Sequence, residues 1–214
     1  MCSSDLMVNL VNQNKQNISR TFADTLNTGL ITGDGTGTNP DGLPTFIASD
    51  QTYAGLSQST YTWLAPAAAA LDSTTTVLTL QAMGGVYTAC SVQNREPRLI
   101  LTTDAIYEFF QDLLAVNQRF SVPTRAVAGF RFVEFRGAFI ARDPAVPANY
   151  MYFLTPETLN LVVNGNEGNG GLRGYPPRVP DNQFARIIPQ RWMGNLICTA
   201  PRENGKMSAI TSGS

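Results

Sequence analysis

The sequence predicts a mixed α+β fold in which helices pack on a central sheet, and three observations carry that expectation. Ile106, Phe109, Phe110, Leu113, Leu114 and Asn117 recur at i, i+3, i+4, i+7, i+8 and i+11, the single apolar face of an α-helix that Thr102 or Thr103 is placed to cap. Directly before it, Pro97-Arg-Leu-Ile-Leu101 reads as a buried strand, and a strand running into a helix points to a helix lying on a sheet. Finally, the segments Phe130–Arg142 and Tyr150–Leu154 are rich in aromatic and β-branched residues, the composition of strands.

The remaining elements follow in chain order. Residues 1–6, Met1-Cys-Ser-Ser-Asp-Leu6, match what a short-read sequencing adapter encodes when translated from a GTG start, so they are expected to be read-through, with the natural chain beginning further upstream. Residues 7–28 place Val8, Val11, Ile18, Phe22 and Leu26 on one helical face, with Gly29 positioned to end the helix. The run Leu30-Ile-Thr-Gly-Asp-Gly-Thr-Gly-Thr-Asn-Pro-Asp-Gly-Leu43 comes next. Gly33, Gly35, Gly37 and Gly42 allow positive φ, Asp34, Asn39 and Asp41 can close turns through their side chains, and Pro40 and Pro44 fix the exit direction. Residues 44–66 read as an irregular, exposed connection anchored by Tyr53, Tyr61 and Trp63.

A second helix is expected from Ser73 or Thr74 to about Val92, with close packing or a kink at Gly84-Gly85. FRFVEFRGAFIAR, residues 130–142, forms two short strands or one strand bent at Gly137. A further strand covers Thr158–Val163 after a turn at Thr155-Pro156. The glycine- and proline-rich stretch 164–182 is expected to be a loop or partly disordered. Strands at Phe184–Ile188 and Met193–Thr199 follow, and Ala200–Lys206 reads as a hairpin turn into Met207–Ile210.

With 214 residues and 43% apolar content, the chain can bury one large core or two interleaved ones. Charged residues make up only 14%, and that surface, rich in uncharged polar groups, leans toward a protein seated inside an assembly. A net charge of −1 excludes the electrostatic footprint of a tight duplex binder. Of the 15 cations only Lys15 and Lys206 are lysine, and arginine is the better residue for bidentate and stacked contacts between subunits. Cys2, Cys90 and Cys198 have neither metal-site nor redox-motif spacing and read as buried or incidental thiols of a reducing compartment. Neither a secretory signal nor a run long enough to span a membrane is visible.

The search for chemistry is mostly negative. With no histidine, Ser-His-Asp and Cys-His catalysis and every His-ligated metal site are excluded together. Glu108 and Asp112, four apart on the third helix, could hold Mg²⁺ or act as acid and base, but a solvated face is the better reading. Asp34, Asp41 and Asp50 lack the glycine and glutamate positions of an EF-hand, and GDGTGT fails as a nucleotide loop because Thr38 and Pro40 stand where glycine is needed. Arg131 and Arg136 flank Glu134 and could touch phosphate; ion pairs within or between subunits are the favoured reading. No catalytic residue, cofactor or metal is assigned.

The order of amphipathic helix, GDGTGTNPDGL, second helix, PRLILTTDAIYEFFQDLL, GFRFVEFRGAFIARD, YMYFLTPETLNL and a terminal strand pair resembles the C-terminal two-thirds of a tailed-bacteriophage major capsid protein of the Hong Kong 97 fold. The resemblance covers about Val8 to Ile210, with the glycine loop its most specific part.

It implies a spine helix and peripheral domain from residues 7–66 and 184–214, and an axial domain from residues 67–183. It also implies that the N-terminal arm and extended loop preceding the spine helix are missing. The partners implied are copies of the same chain in pentamers and hexamers, packaged double-stranded DNA contacted weakly, and scaffold, portal and head-protease proteins. The implied location is the virion, after synthesis in a host bacterial cytoplasm. An encapsulin-type nanocompartment subunit shares the fold, and a stand-alone β-rich binding module is the alternative of a different class.

Overall fold

Helices and strands alternate along the chain in the computed structural model, which describes residues 3–72, 76–117, 133–165, 172–176, 178–180, 187 and 189–211. Helix α1 (Ser3–Thr32) leads through the glycine loop to α2 (Leu43–Phe46) and the small hairpin β1 (Thr52–Tyr53) and β2 (Leu56–Ser57). A 3-10 turn at Ala68–Ala70 precedes β3 (Leu71–Asp72), then come β4 (Thr76–Val77), α3 (Leu80–Cys90), β5 (Leu99–Thr102) and α4 (Asp104–Asn117). The hairpin β6 (Val133–Phe135) and β7 (Ala138–Arg142) is followed by β8 (Met151–Leu154), a 3-10 turn at Pro156–Thr158 and β9 (Leu159–Val163). The chain closes with β10 (Leu172–Gly174), β11 (Gln190–Trp192), β12 (Gly194–Cys198), a 3-10 turn at Pro201–Glu203, β13 (Gly205–Met207) and β14 (Ile210–Thr211).

A six-stranded mixed sheet, ordered β3-β13-β8-β5-β7-β6, organises the molecule. Because side chains alternate along a strand, each central strand feeds two cores. Ile100, Met151, Phe153 and Met207 point to the face covered by α3 and α4, where they meet Met83, Val86 and Phe110. Tyr152 and Leu154, with Leu99 and Leu101, point to the other face, against Ile31, Leu43, Phe46, Ile47 and Leu64. The ring of Phe135 stands edge-on to both Tyr87 and Phe110, at 6.0 and 6.2 Å. Each fully buried large side chain here contributes about 1.5–3 kcal/mol relative to exposure.

Several sequence expectations are met. Helix α4 has the stated face, with Ile106 and Phe110 buried, and the Thr103 carbonyl accepts the first helical bond from Tyr107 N–H at 3.0 Å. The segment around Gly137 forms two strands joined by a two-residue turn, in which Arg136 and Gly137 both take positive φ (50° and 85°), the backbone that matches strand twist in a tight hairpin. Strands β5, β8, β9 and β12 lie where the apolar patterns place them.

Other expectations are corrected. Helix α1 does not stop at Gly29 but runs to Thr32, and Gly29 instead makes room for the Pro40 ring, which a Cβ would meet at 3.1 Å. Residues 44–66 are not simply an exposed connection: Phe46, Ile47, Ala48, Tyr53, Leu64 and Ala65 are buried, while Tyr61 and Trp63 are exposed. Helix α3 starts at Leu80, capped by Thr79 Oγ1 accepting from Ala82 N–H at 3.1 Å, because Thr76–Val77 is drawn into parallel pairing with β14. The expected cap residues Ser73 and Thr74 lie outside the described residues, as do Cys2 and, of the strand expected at 184–188, all but Ile187.

The stretch 164–182 contains regular structure, since Leu172–Gly174 pairs antiparallel with β11. Ala200–Lys206 is not a hairpin turn: β12 pairs with β9, whereas β13 inserts between β3 and β8 in the large sheet. Gly205 allows that insertion, because a Cβ there would lie 2.5 Å from Cys90 Sγ and 2.6 Å from the Ala70 carbonyl oxygen.

Candidate functional site

The glycine loop is a clasp at the end of α1. Gly33 N–H completes the helix on the Gly29 carbonyl at 2.8 Å, Gly42 N–H returns to the Gly33 carbonyl at 3.1 Å, and Asp34 and Asp41 form an antiparallel bridge. The two passes of backbone are so close that a Cβ on Gly33 would sit 2.2 Å from the Pro40 carbonyl oxygen and 2.3 Å from that of Gly29. Gly35 and Gly37 carry positive φ, and Asn39 N–H closes the tip on the Thr36 carbonyl at 3.1 Å.

Asp34 holds the tip from its side chain. It accepts from Thr36 N–H at 3.1 Å, Thr36 Oγ1 at 2.8 Å and Asn39 Nδ2 at 3.2 Å. These bonds, the Thr36 hydroxyl first, lower its pKa from the ordinary 3.8 to about 2.

The clasp is tied to a strand 154 positions later in sequence. Asn195 Oδ1 accepts from Asp41 N–H at 2.7 Å, and its Nδ2 donates to Asp41 Oδ2 at 2.6 Å. Next to it, Tyr53 OH accepts from Cys198 N–H at 2.7 Å and donates to the Cys198 carbonyl at 3.0 Å, so α1, the 44–66 segment and β12 are held as one piece. A buried polar knot joins β12 to the large sheet. Asn204 accepts from Thr155 N–H at 2.9 Å and donates to Thr158 Oγ1 at 3.0 Å and the Ala200 carbonyl at 3.1 Å. Sequence reasoning missed Asn195 and Asn204. The signal available for the second was the matched pair of proline-led turns, TPET and APREN, each followed by a strand.

The predicted contact residues separate. Arg136 folds over α3, where its guanidinium stacks on the Tyr87 and Phe135 rings (5.9 and 5.6 Å) and donates to Thr88 Oγ1 at 3.3 Å. That explains Gly84, since a Cβ there would meet the guanidinium at 2.8 Å. Glu134 is exposed and makes no ion pair with Arg136 among the described residues; Arg131 lies outside them. Glu108 and Asp112 are both exposed on α4, and among the described residues no three His, Cys, Asp or Glu side chains converge as a metal site would require. Burial pushes the thiols of Cys90 and Cys198 up to about 12 and about 11, which makes both inert at neutral pH. No described helix is long and apolar enough to cross a membrane.

This architecture is similar to that of a solved chain in the cyanophage A-1(L) capsid asymmetric unit, with a TM-score of 0.62 and 18% sequence identity over 91% of this chain and 70% of that one. The likeness at that identity is one of fold: a mixed α+β fold of the Hong Kong 97 capsid architecture. No family model matches the sequence, and no curated protein sequence matches it.

Proposed function

We propose that the chain is a shell subunit, the major capsid protein of a tailed double-stranded DNA bacteriophage, which assembles with copies of itself into the icosahedral head. The observation that carries this reading is the capsid-type fold over 91% of the chain. In this reading α1 is the spine helix, and residues 7–66 and 184–214 make the peripheral domain while residues 67–183 make the axial one. One change is needed: Gly205–Met207 goes with the axial part, because it is hydrogen-bonded between β3 and β8.

The mechanism is mechanical. A sheet packed on both faces supplies a rigid body, and the clasp fixes the direction in which α1 leaves it. Along α1, Ile18 is 52% exposed and Phe22 and Leu26 are half-buried, an apolar face left for contact with other copies. Pentamers and hexamers then tile the shell through heterologous contacts, in which one patch meets a different patch on the next copy. Glu134 and Arg136 are placed at such contacts, and packaged DNA is touched weakly from inside. Scaffold, portal and head-protease proteins are the further partners, and the virion is the location.

The test is electron microscopy and sedimentation velocity of the purified natural gene product. Closed shells of uniform size support the reading. A monodisperse monomer at all protein concentrations, encoded away from portal and terminase genes, overturns it.

A further inference from the structure

The ribbon β10–β11 is charged in one sense. Among the described residues of the segment 172–192 the charged ones are Arg173, Arg178 and Arg191, all exposed, with no carboxylate between them. Arg173 stands directly opposite Arg191 in the strand register, an arrangement in which like charges repel. Arg173 also lies over the Tyr175 ring at 5.2 Å, which holds the guanidinium in a fixed orientation at the surface. Leu172, Val179 and Ile187 around them are 36%, 61% and 46% exposed. Arginine, an aromatic ring and exposed aliphatic side chains, with lysine absent, is the composition of a contact surface and not of a merely solvated loop. A two-stranded ribbon of this kind, with no third strand beside it among the described residues, also has little stability of its own.

The complement lies on the same chain. The charged residues of α4 are Asp104, Glu108 and Asp112, four apart, so they form one acidic row about 12 Å long on its exposed side. Arg142 reaches Asp104 at 3.4 Å, but neither that bond nor any other described ion pair joins the row to the ribbon. Each surface therefore concentrates one sign of charge, while the chain as a whole carries a formal charge of −1.

We propose that the basic ribbon of one copy docks on the acidic row of α4 in a second copy. The contact rests on the shell reading, because a head-to-tail pairing of two different patches propagates through many copies. A second copy is favoured over a nucleic acid because the acidic row supplies the matching charge and the near-zero net charge gives no long-range attraction to a polyanion.

The experiment compares the wild-type chain, R173E/R178E, E108R/D112R and an equal mixture of the two variants. Sedimentation velocity is run at about 50 mM and about 500 mM salt, with electron microscopy of each sample. All substituted residues are exposed, and circular dichroism checks that each variant is folded. The expected result is wild-type association that weakens at least about tenfold at high salt and in each variant, and is restored in the mixture, where opposite charges face each other again.

Variants that associate as the wild type does, or a mixture that fails to recover, overturn the contact and leave the shell reading standing. The same holds if R173E/R178E self-associates normally but loses binding to a fluorescent 30-base-pair duplex, which would make the ribbon a DNA surface. A wild-type chain that forms neither oligomers nor particles at either salt concentration fails the shell reading, and the contact with it.

Discussion

The six-stranded sheet and the β10–β11 ribbon use the same backbone pairing to opposite ends. In β8 all four residues are buried, with Tyr152 and Leu154 facing one core and Met151 and Phe153 the other. In the ribbon, β10 is exposed at every position. Strand pairing alone does not stabilise a sheet in water; burial on its faces does. The sheet is thus the body that folds, and the ribbon is surface carried by it.

The sharpest way to break this comparison is to truncate one side chain in each region. Phe153→Ala should cost about 3–5 kcal/mol in equilibrium denaturation, since the ring is fully buried, whereas Val179→Ala should stay within about 0.5 kcal/mol. Similar losses at the two positions would mean that the ribbon is part of the folding core. Next in size is the clasp. Gly33→Ala forces a methyl against two backbone carbonyls and should cost about 2–3 kcal/mol, while Gly37→Ala, which has open space but positive φ, should cost about 1 kcal/mol. The polar knot follows: Asn204→Ala leaves the buried Thr155 N–H without its acceptor and should cost about 1–3 kcal/mol in the same assay.

The regions differ in legibility for the same reason. Helix α4 and strands β5 and β8 could be read from sequence because one-sided or complete burial imprints a period of 3.6 or an unbroken apolar run. The start of α3 and the destination of β13 could not, because both depend on partners far along the chain: Thr76–Val77 becomes a strand only when Ile210–Thr211 lies beside it. The clasp divides in the same way. The Asp34 turn onto Thr36 is local and its residue types announce it, whereas Asp41 spends its carboxylate on Asn195, a pairing that nothing within the loop encodes. Arg136 looked like a surface charge from its neighbours, yet its guanidinium is held by aromatic rings that only the fold brings near.

Thiol chemistry gives a further contrast, between folded and unfolded chain. Cys90 and Cys198 are buried with pKa values raised to about 12 and about 11, so both should resist an aromatic disulfide reagent at pH 8 and react fully in denaturant. Peptide mapping would locate the modified residues, and rapid labelling of Cys198 in native protein would mean that the β9–β12 end opens while the sheet stays closed.

The smallest effect belongs to Asp34, which is exposed, so its titration should move the loop and not the fold. Its folded pKa, about 2, lies below the ordinary 3.8, because the bonds from Thr36 and Asn39 favour the carboxylate. A lowered carboxyl pKa stabilises the loop above the ordinary value and ceases to do so as pH falls through the folded one. The Thr36 amide resonance should therefore hold steady down to about pH 4 and shift with a midpoint near 2. In Asp34→Asn that step should vanish while the global denaturation midpoint stays put. A midpoint at 3.8 would show that the tip is not held by this side chain, and the clasp would then reduce to Gly33, Gly42 and the Asp41–Asn195 pair.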